Sequence, residues 1–98
     1  MRFEIILAPA AAAELRPLAA YQRAAVRDAI EVHLRHEPTK TSKSRIKRLR
    51  GLIRPQYRLR VEEVRVYYDV THKEVEILAI VTKGQADRWL KEHGEAGP

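Results

Sequence analysis

The chain has 98 residues, 45% of them hydrophobic and 33% charged, which allows one domain with a single core. It contains no cysteine, so disulfide frameworks and thiolate chemistry are excluded, and a reducing, cytoplasmic location suits that composition. A net charge of +6 and a pI near 10.0 favour a polyanionic partner, and no apolar run is long enough to cross a bilayer, so no membrane association is expected.

Residues 2–7 (RFEIIL) combine strand-forming side chains with partial alternation and predict a first strand. Pro9 follows too closely for a signal peptide; it suits the first turn of a helix, where a missing N–H costs nothing. Pro17 interrupts that helix. A second helix is expected from Ala20 to His36, with Val26, Ala29, Ile30, His33 and Leu34 on one stripe and Pro38 as its stop. The two form an antiparallel helical hairpin.

Residues 38–50 (PTKTSKSRIKRLR) are polar and basic and read as a loop. From Pro38 to Val61 there is no Asp or Glu, while Lys40, Lys43, Arg45, Lys47, Arg48, Arg50, Arg54, Arg58 and Arg60 all fall there. Lys43, Arg45, Lys47, Arg48 and Arg50 are the candidate phosphate contacts of this segment.

Three strands follow, Gln56–Val61, Val64–Val70 and Glu74–Val81. In YRLRVEEVRVYYDV the apolar positions alternate with arginines. Closing the first hairpin over two or four residues sets Arg60 opposite Arg65 and Arg58 opposite Tyr67, so these four share a face. Glu62-Glu63 is poor chemistry for a primed two-residue turn, which favours the longer loop. A four-residue THKE loop then sets Val66 opposite Ala79 and Arg65 opposite Ile80, and the last strand delivers Lys83 to the edge of Arg60 and Arg65. On this reading Arg65 stands on the solvent face and fills no core volume. Arg60, Arg65 and Lys83 are the candidate catalytic anion site, and Arg58 and Tyr67 line its approach. Asp69 and Glu76 face each other across strands, relieved by water or Lys73.

Thr82-Lys83-Gly84-Gln85 resembles a capping box, so a short helix follows, closed by Gly94, with EAGP as a frayed tail. Trp89 and Leu90 read as packing for that helix. Four scattered histidines give no ligand set, so neither a metal nor another cofactor is expected. The fold class is α+β, a single domain over 1–98 in the order β-α-α-β-β-β-α, with the helices on one face of a small, four-stranded, mostly antiparallel sheet.

KRLRGLIRPQYRLRVEEVRVYYDVTHKEVEILAIVTKGQ resembles the C-terminal half of RelE/ParE-superfamily toxins of type II toxin–antitoxin pairs, through LRG, YRLRV, RVYYDV and a last apolar strand ending in a basic residue. The resemblance implies a toxin neutralised by a cognate antitoxin. The RelE branch cuts mRNA on the ribosome without metal, the 2′-OH attacking the adjacent phosphate. Arg58, Arg60, Arg65 and Lys83 match basic positions of that branch. Gly84 stands where a further arginine is frequent, and Trp89 and Leu90 where a catalytic tyrosine or histidine is common. Arginine stays charged at any working pH and is a poor base, so proton abstraction falls to Lys83, Asp87, Glu62 or a ribosomal group. The ParE branch, which poisons DNA gyrase, and an inactive relative that binds only antitoxin or RNA are the alternatives.

Overall fold

In the computed structural model, which describes residues 1–97, the first strand is β1 (Glu4–Leu7). Phe3, expected to belong to it, gives its N–H to the Arg35 carbonyl at 2.7 Å instead. Pro9 opens α1 (Pro9–Leu15). Helix α2 (Ala20–Ala29) starts after Ala19, whose N–H donates to Gln22 Oε1 at 3.2 Å, and runs into one π-helical turn, Ile30–Leu34. Then come β2 (Ile46–Arg48), β3 (Leu52–Arg54), β4 (Tyr57–Val61), β5 (Val64–Val70), β6 (Glu74–Thr82), α3 (Lys83–His93) and β7 (Glu95–Ala96). Thr82 caps α3 as its sequence suggests, its N–H bonding Gln85 Oε1 at 3.3 Å, and Gly94 ends it with an N–H to the Leu90 carbonyl.

The main sheet runs β1-β6-β5-β4-β2, with β1 parallel to β6 and the remaining pairs antiparallel. The fold class is the α+β one expected, with a fifth strand inside the 38–50 segment whose composition predicts a loop. β2 is short, and only Ile46 is buried in it. That one side chain, together with the β2–β4 ladder Ile46↔Leu59, Lys47↔Arg58 and Arg48↔Tyr57, makes the segment a strand. The tail is tied down too: β7 pairs with β3, and Gly97 donates to the Gly51 carbonyl at 3.0 Å. Pro98 lies outside the described residues.

The β4–β5 hairpin has the expected register, Arg60↔Arg65 and Arg58↔Tyr67. Its turn, however, has two residues, because Val61 pairs with Val64. Glu62 adopts φ 53, a left-handed conformation costing a non-glycine residue about 1–2 kcal/mol. Hydrogen bonds offset that cost: Arg65 Nη1 donates to the Glu62 carbonyl at 2.7 Å, and the Lys83 N–H to the Glu63 carbonyl at 2.7 Å.

The next hairpin keeps its four-residue loop but contains a bulge. Tyr68 pairs with Ile77 and Tyr67 with Ala79, leaving Leu78 over. Arg65 therefore opposes Val81 and Val66 opposes Ile80, one residue on from the expected pairing. The bulge sorts a strand that is apolar on both sides. Ile77 and Ile80 join the core beneath the helical hairpin, while Ala79 and Val81 turn to the opposite face.

Two cores result. On one face Ala11, Leu15, Val26, Ile30 and Leu34 pack on Leu59, Val64, Val66, Tyr68 and Ile77. On the other, α3 lays Ala86, Trp89 and Leu90 over Tyr67, Ala79 and Val81. Helices thus cover both faces, not one. The pleat alternates sides strictly, so a residue pattern that fills the first core leaves the second face to Arg58, Arg60, Arg65 and Tyr67.

Candidate functional site

α3 packs chiefly on β6 and β5, with Leu49, just past β2, against the same cluster, and the β4 and β2 side of the second face carries Arg58, Arg60 and Lys47. The ladder places Lys47, Arg58, Tyr67 and Ala79 in one row across that face, and Arg60, Arg65 and Val81 in the next. Arg45 extends β2 alongside Arg60, whose N–H donates to the Arg45 carbonyl at 2.9 Å. The result is a ledge, with a floor of cations from two strands and a wall made by α3.

Arg58 is the least satisfied member. Its Nε is buried and has no hydrogen-bond partner among the described residues. Burial lowers its pKa, the neighbouring charges of Arg65 and Arg60 lower it further, and Tyr67 works the other way. Leaving such a donor unpaired costs about 1–3 kcal/mol. Arg60 is exposed and free to reach the same space.

Arg65 departs from its expected solvent position. It is only 6% exposed, and its guanidinium staples the hairpin turn, donating to the Glu62 carbonyl and, at 3.1 Å, to the Val64 carbonyl. No carboxylate pairs with it among the described residues. Removing Arg65 therefore carries a structural cost, contrary to the solvent-face expectation, and α3 packs over its cross-strand neighbour Val81. Tyr67 is likewise 2% exposed, its ring stacked on Trp89 at 5.0 Å between centroids and 6° between planes. It forms the foot of the wall rather than an open contact, and burial raises its pKa. Trp89 is packing, as its sequence context indicates.

Lys83 is exposed at the first turn of α3, beside the Glu62-Glu63 turn. Of the phosphate-contact candidates, Lys47 joins the ledge, and Arg45 continues its edge. Lys43 and Arg50 are exposed in the segments flanking β2, off the two rows. Arg48 is turned to the opposite side, its guanidinium over the Tyr57 ring at 5.1 Å and Nη1 on the Gln56 carbonyl at 2.9 Å.

At the far end of the sheet Asp69 and Glu76 do pair across β5 and β6. Arg54, not Lys73, relieves them: its Nε lies 3.5 Å from Asp69 and its Nη2 3.2 Å from Glu76, with Glu95 of β7 at 3.9 Å. Sequence gave no hint of Arg54's role, since the bend after β3 that brings it to Asp69 is a tertiary feature.

Comparison with solved structures identifies the fold. Chains of three toxin–antitoxin complexes superpose on this one. For the archaeal RelE–RelB complex of Pyrococcus horikoshii OT3 the TM-score is 0.71 at 23% identity, covering 87% of this chain and 99% of that one. For the RelBE2 complex of Mycobacterium tuberculosis it is 0.69 at 22%, covering 84% and 99%. For the RelB–RelE complex of Methanococcus jannaschii it is 0.67 at 17%, covering 86% and 96%. The fold is RelE-like, as the sequence resemblance implied. No family model and no curated protein matches the chain. Among the described residues no helix is long and apolar enough to cross a membrane.

Proposed function

We propose that this chain is the toxin of a type II toxin–antitoxin pair, held inactive by a cognate antitoxin, and that it acts in the cytoplasm by cutting mRNA on the ribosome. The RelE-like fold supports the toxin class, and the similar structures being toxin–antitoxin complexes supports the partner. One observation carries the nuclease reading: a row of strand-borne cations in which Lys47 stands beside Arg58, whose buried Nε has no partner among the described residues, with Arg60 and Arg65 in the next row. Transesterification puts growing charge on the non-bridging phosphate oxygens. Fixed guanidinium donors aimed there stabilise the transition state more than the ground state. Lys83, at the rim, is a further cation for the same phosphate, and Lys43, Arg45, Lys47 and Arg50 serve as sequence-independent backbone contacts.

The test is to induce the protein and follow translation, mRNA 5′ ends and chromosome breaks together. New mRNA ends with a halt in translation are expected. DNA breaks with intact mRNA would replace this reading by gyrase poisoning, and neither effect would leave an inactive binding relative.

A further inference from the structure

A ledge built of arginines can hold a phosphate but cannot take a proton from the attacking hydroxyl. The geometry points to Asp87 as the group that does so, an inference that rests on the nuclease reading above.

Three carboxylates lie close enough in sequence to be considered, and the fold separates them. Glu62 and Glu63 sit on the hairpin turn and line a small cavity with Tyr21, Gln22 and Ala25 of α2, on the side of the helical hairpin. That is the wrong face. Asp87 stands on the second turn of α3, the wall of the ledge. At about 100° per residue it lies nearly opposite Gln85 around the helix. Gln85, Arg88, Trp89 and Glu92 line a cavity with Glu14 of α1, at the outer edge of β6. The opposite flank, carrying Lys83 and Asp87, therefore turns toward β4 and the open cations.

Electrostatics agree with that placement. The charge of Asp87 opposes ionisation of the Tyr67 phenol while that of Arg58 favours it, so both stand within reach of the same ring. Asp87 is exposed and, among the described residues, has no ion pair. A free carboxylate beside an otherwise acid-free floor is available to a substrate in a way that Asp69, held by Arg54 and the Gln56 N–H, is not.

The step balances without a further reactant. The 2′-oxygen forms a bond to phosphorus as its proton passes to the Asp87 carboxylate. The bond from phosphorus to the 5′-oxygen breaks, and that oxygen takes a proton from the Lys83 ammonium. The products are a 2′,3′-cyclic phosphate and a 5′-hydroxyl end; both side chains recover their protonation states from solvent. Arg58 and Arg60 hold the non-bridging oxygens throughout.

The experiment uses mRNA on programmed ribosomes, with single-turnover cleavage and ribosome affinity measured separately for wild type, Asp87→Asn, Asp87→Glu and Glu62→Gln. Asp87→Asn is expected to lose about 10²–10⁴ in cleavage rate, the usual share of a general base, with affinity and melting temperature unchanged. Asp87→Glu should recover part of the rate, and Glu62→Gln should match wild type. A message with a 2′-deoxy residue at the cut site should resist wild type. Wild-type cleavage by Asp87→Asn, or a loss explained by weaker binding or unfolding, would overturn the assignment. A wild-type protein that cuts nothing would instead overturn the nuclease reading, and the base with it.

Discussion

The two faces of one sheet answer to different demands. The face under α1 and α2 is closed: Leu59, Val64, Val66, Tyr68 and Ile77 are each at or below 2% exposed, and even the Tyr68 hydroxyl is used, donating to the Pro38 carbonyl at 2.7 Å. The other face is closed over β6 and β5 and open over β4 and β2. There Arg58 Nε has no partner among the described residues, and Lys47 and Arg60 are exposed. Buried polar groups are nearly always satisfied, so an unsatisfied one calls for a specific explanation. Folding energy therefore comes mainly from the first face, and the proposed anion site lies on the open half of the second.

The largest expected effect breaks the closed face. Leu59→Ala removes a fully buried side chain from the centre of β4 and should cost about 2–5 kcal/mol in denaturant unfolding. A cost below about 1 kcal/mol would mean that the helical hairpin packs loosely there.

Arg65→Ala sharpens the boundary, since Arg65 belongs to the cationic face by register but to the fold by burial. Losing the staple on the Glu62 and Val64 carbonyls should destabilise by about 1–3 kcal/mol and reduce activity, at least partly through folding. Unchanged melting with lost activity would return Arg65 to a purely catalytic role.

How much of this was legible follows from where patterns are redundant. YRLRVEEVRVYYDV gave the hairpin and its register because period-two alternation is unbroken on both arms, so either loop length yields the same pairs. The bulge at Leu78 was hidden because β6 is apolar on both faces, and such a strand cannot announce a one-residue shift. β2 was hidden because its single buried residue, Ile46, is surrounded by cations that look like any solvated loop. Arg65 was misplaced for a tertiary reason: exposure on β5 depends on where α3 lies, which no local pattern records. The two-residue turn was misjudged because distant donors, the Arg65 side chain and the Lys83 N–H, hold a conformation that Glu62 would not choose alone.

A smaller effect tests the acidic end of the sheet, away from both cores. Burial raises the pKa of Asp69, the Gln56 N–H and Arg54 pull it down, and Glu76 and Glu95 push it up. Because the net shift is upward, the folded chain retains a proton that the unfolded chain has released. Stability therefore falls as pH rises from the ordinary Asp value through the raised one. Asp69→Asn keeps the acceptor for Gln56, whose N–H lies 2.8 Å from Oδ1, and cannot ionise. Relative to wild type it should gain stability as pH climbs through that window. Parallel unfolding curves across that pH range would show that Arg54 already cancels the burial.

The sharpest test of the division between the faces is Arg58→Ala, with mRNA cleavage on programmed ribosomes measured beside thermal unfolding. Arg58 is half-buried and its Nε has no hydrogen-bond partner among the described residues, so its removal should leave the melting temperature nearly unchanged. Cleavage should fall by about 10²–10³, the loss typical of one transition-state donor. Undiminished cleavage by Arg58→Ala, or cleavage lost only in step with unfolding, would contradict an anion site on the open half of the sheet.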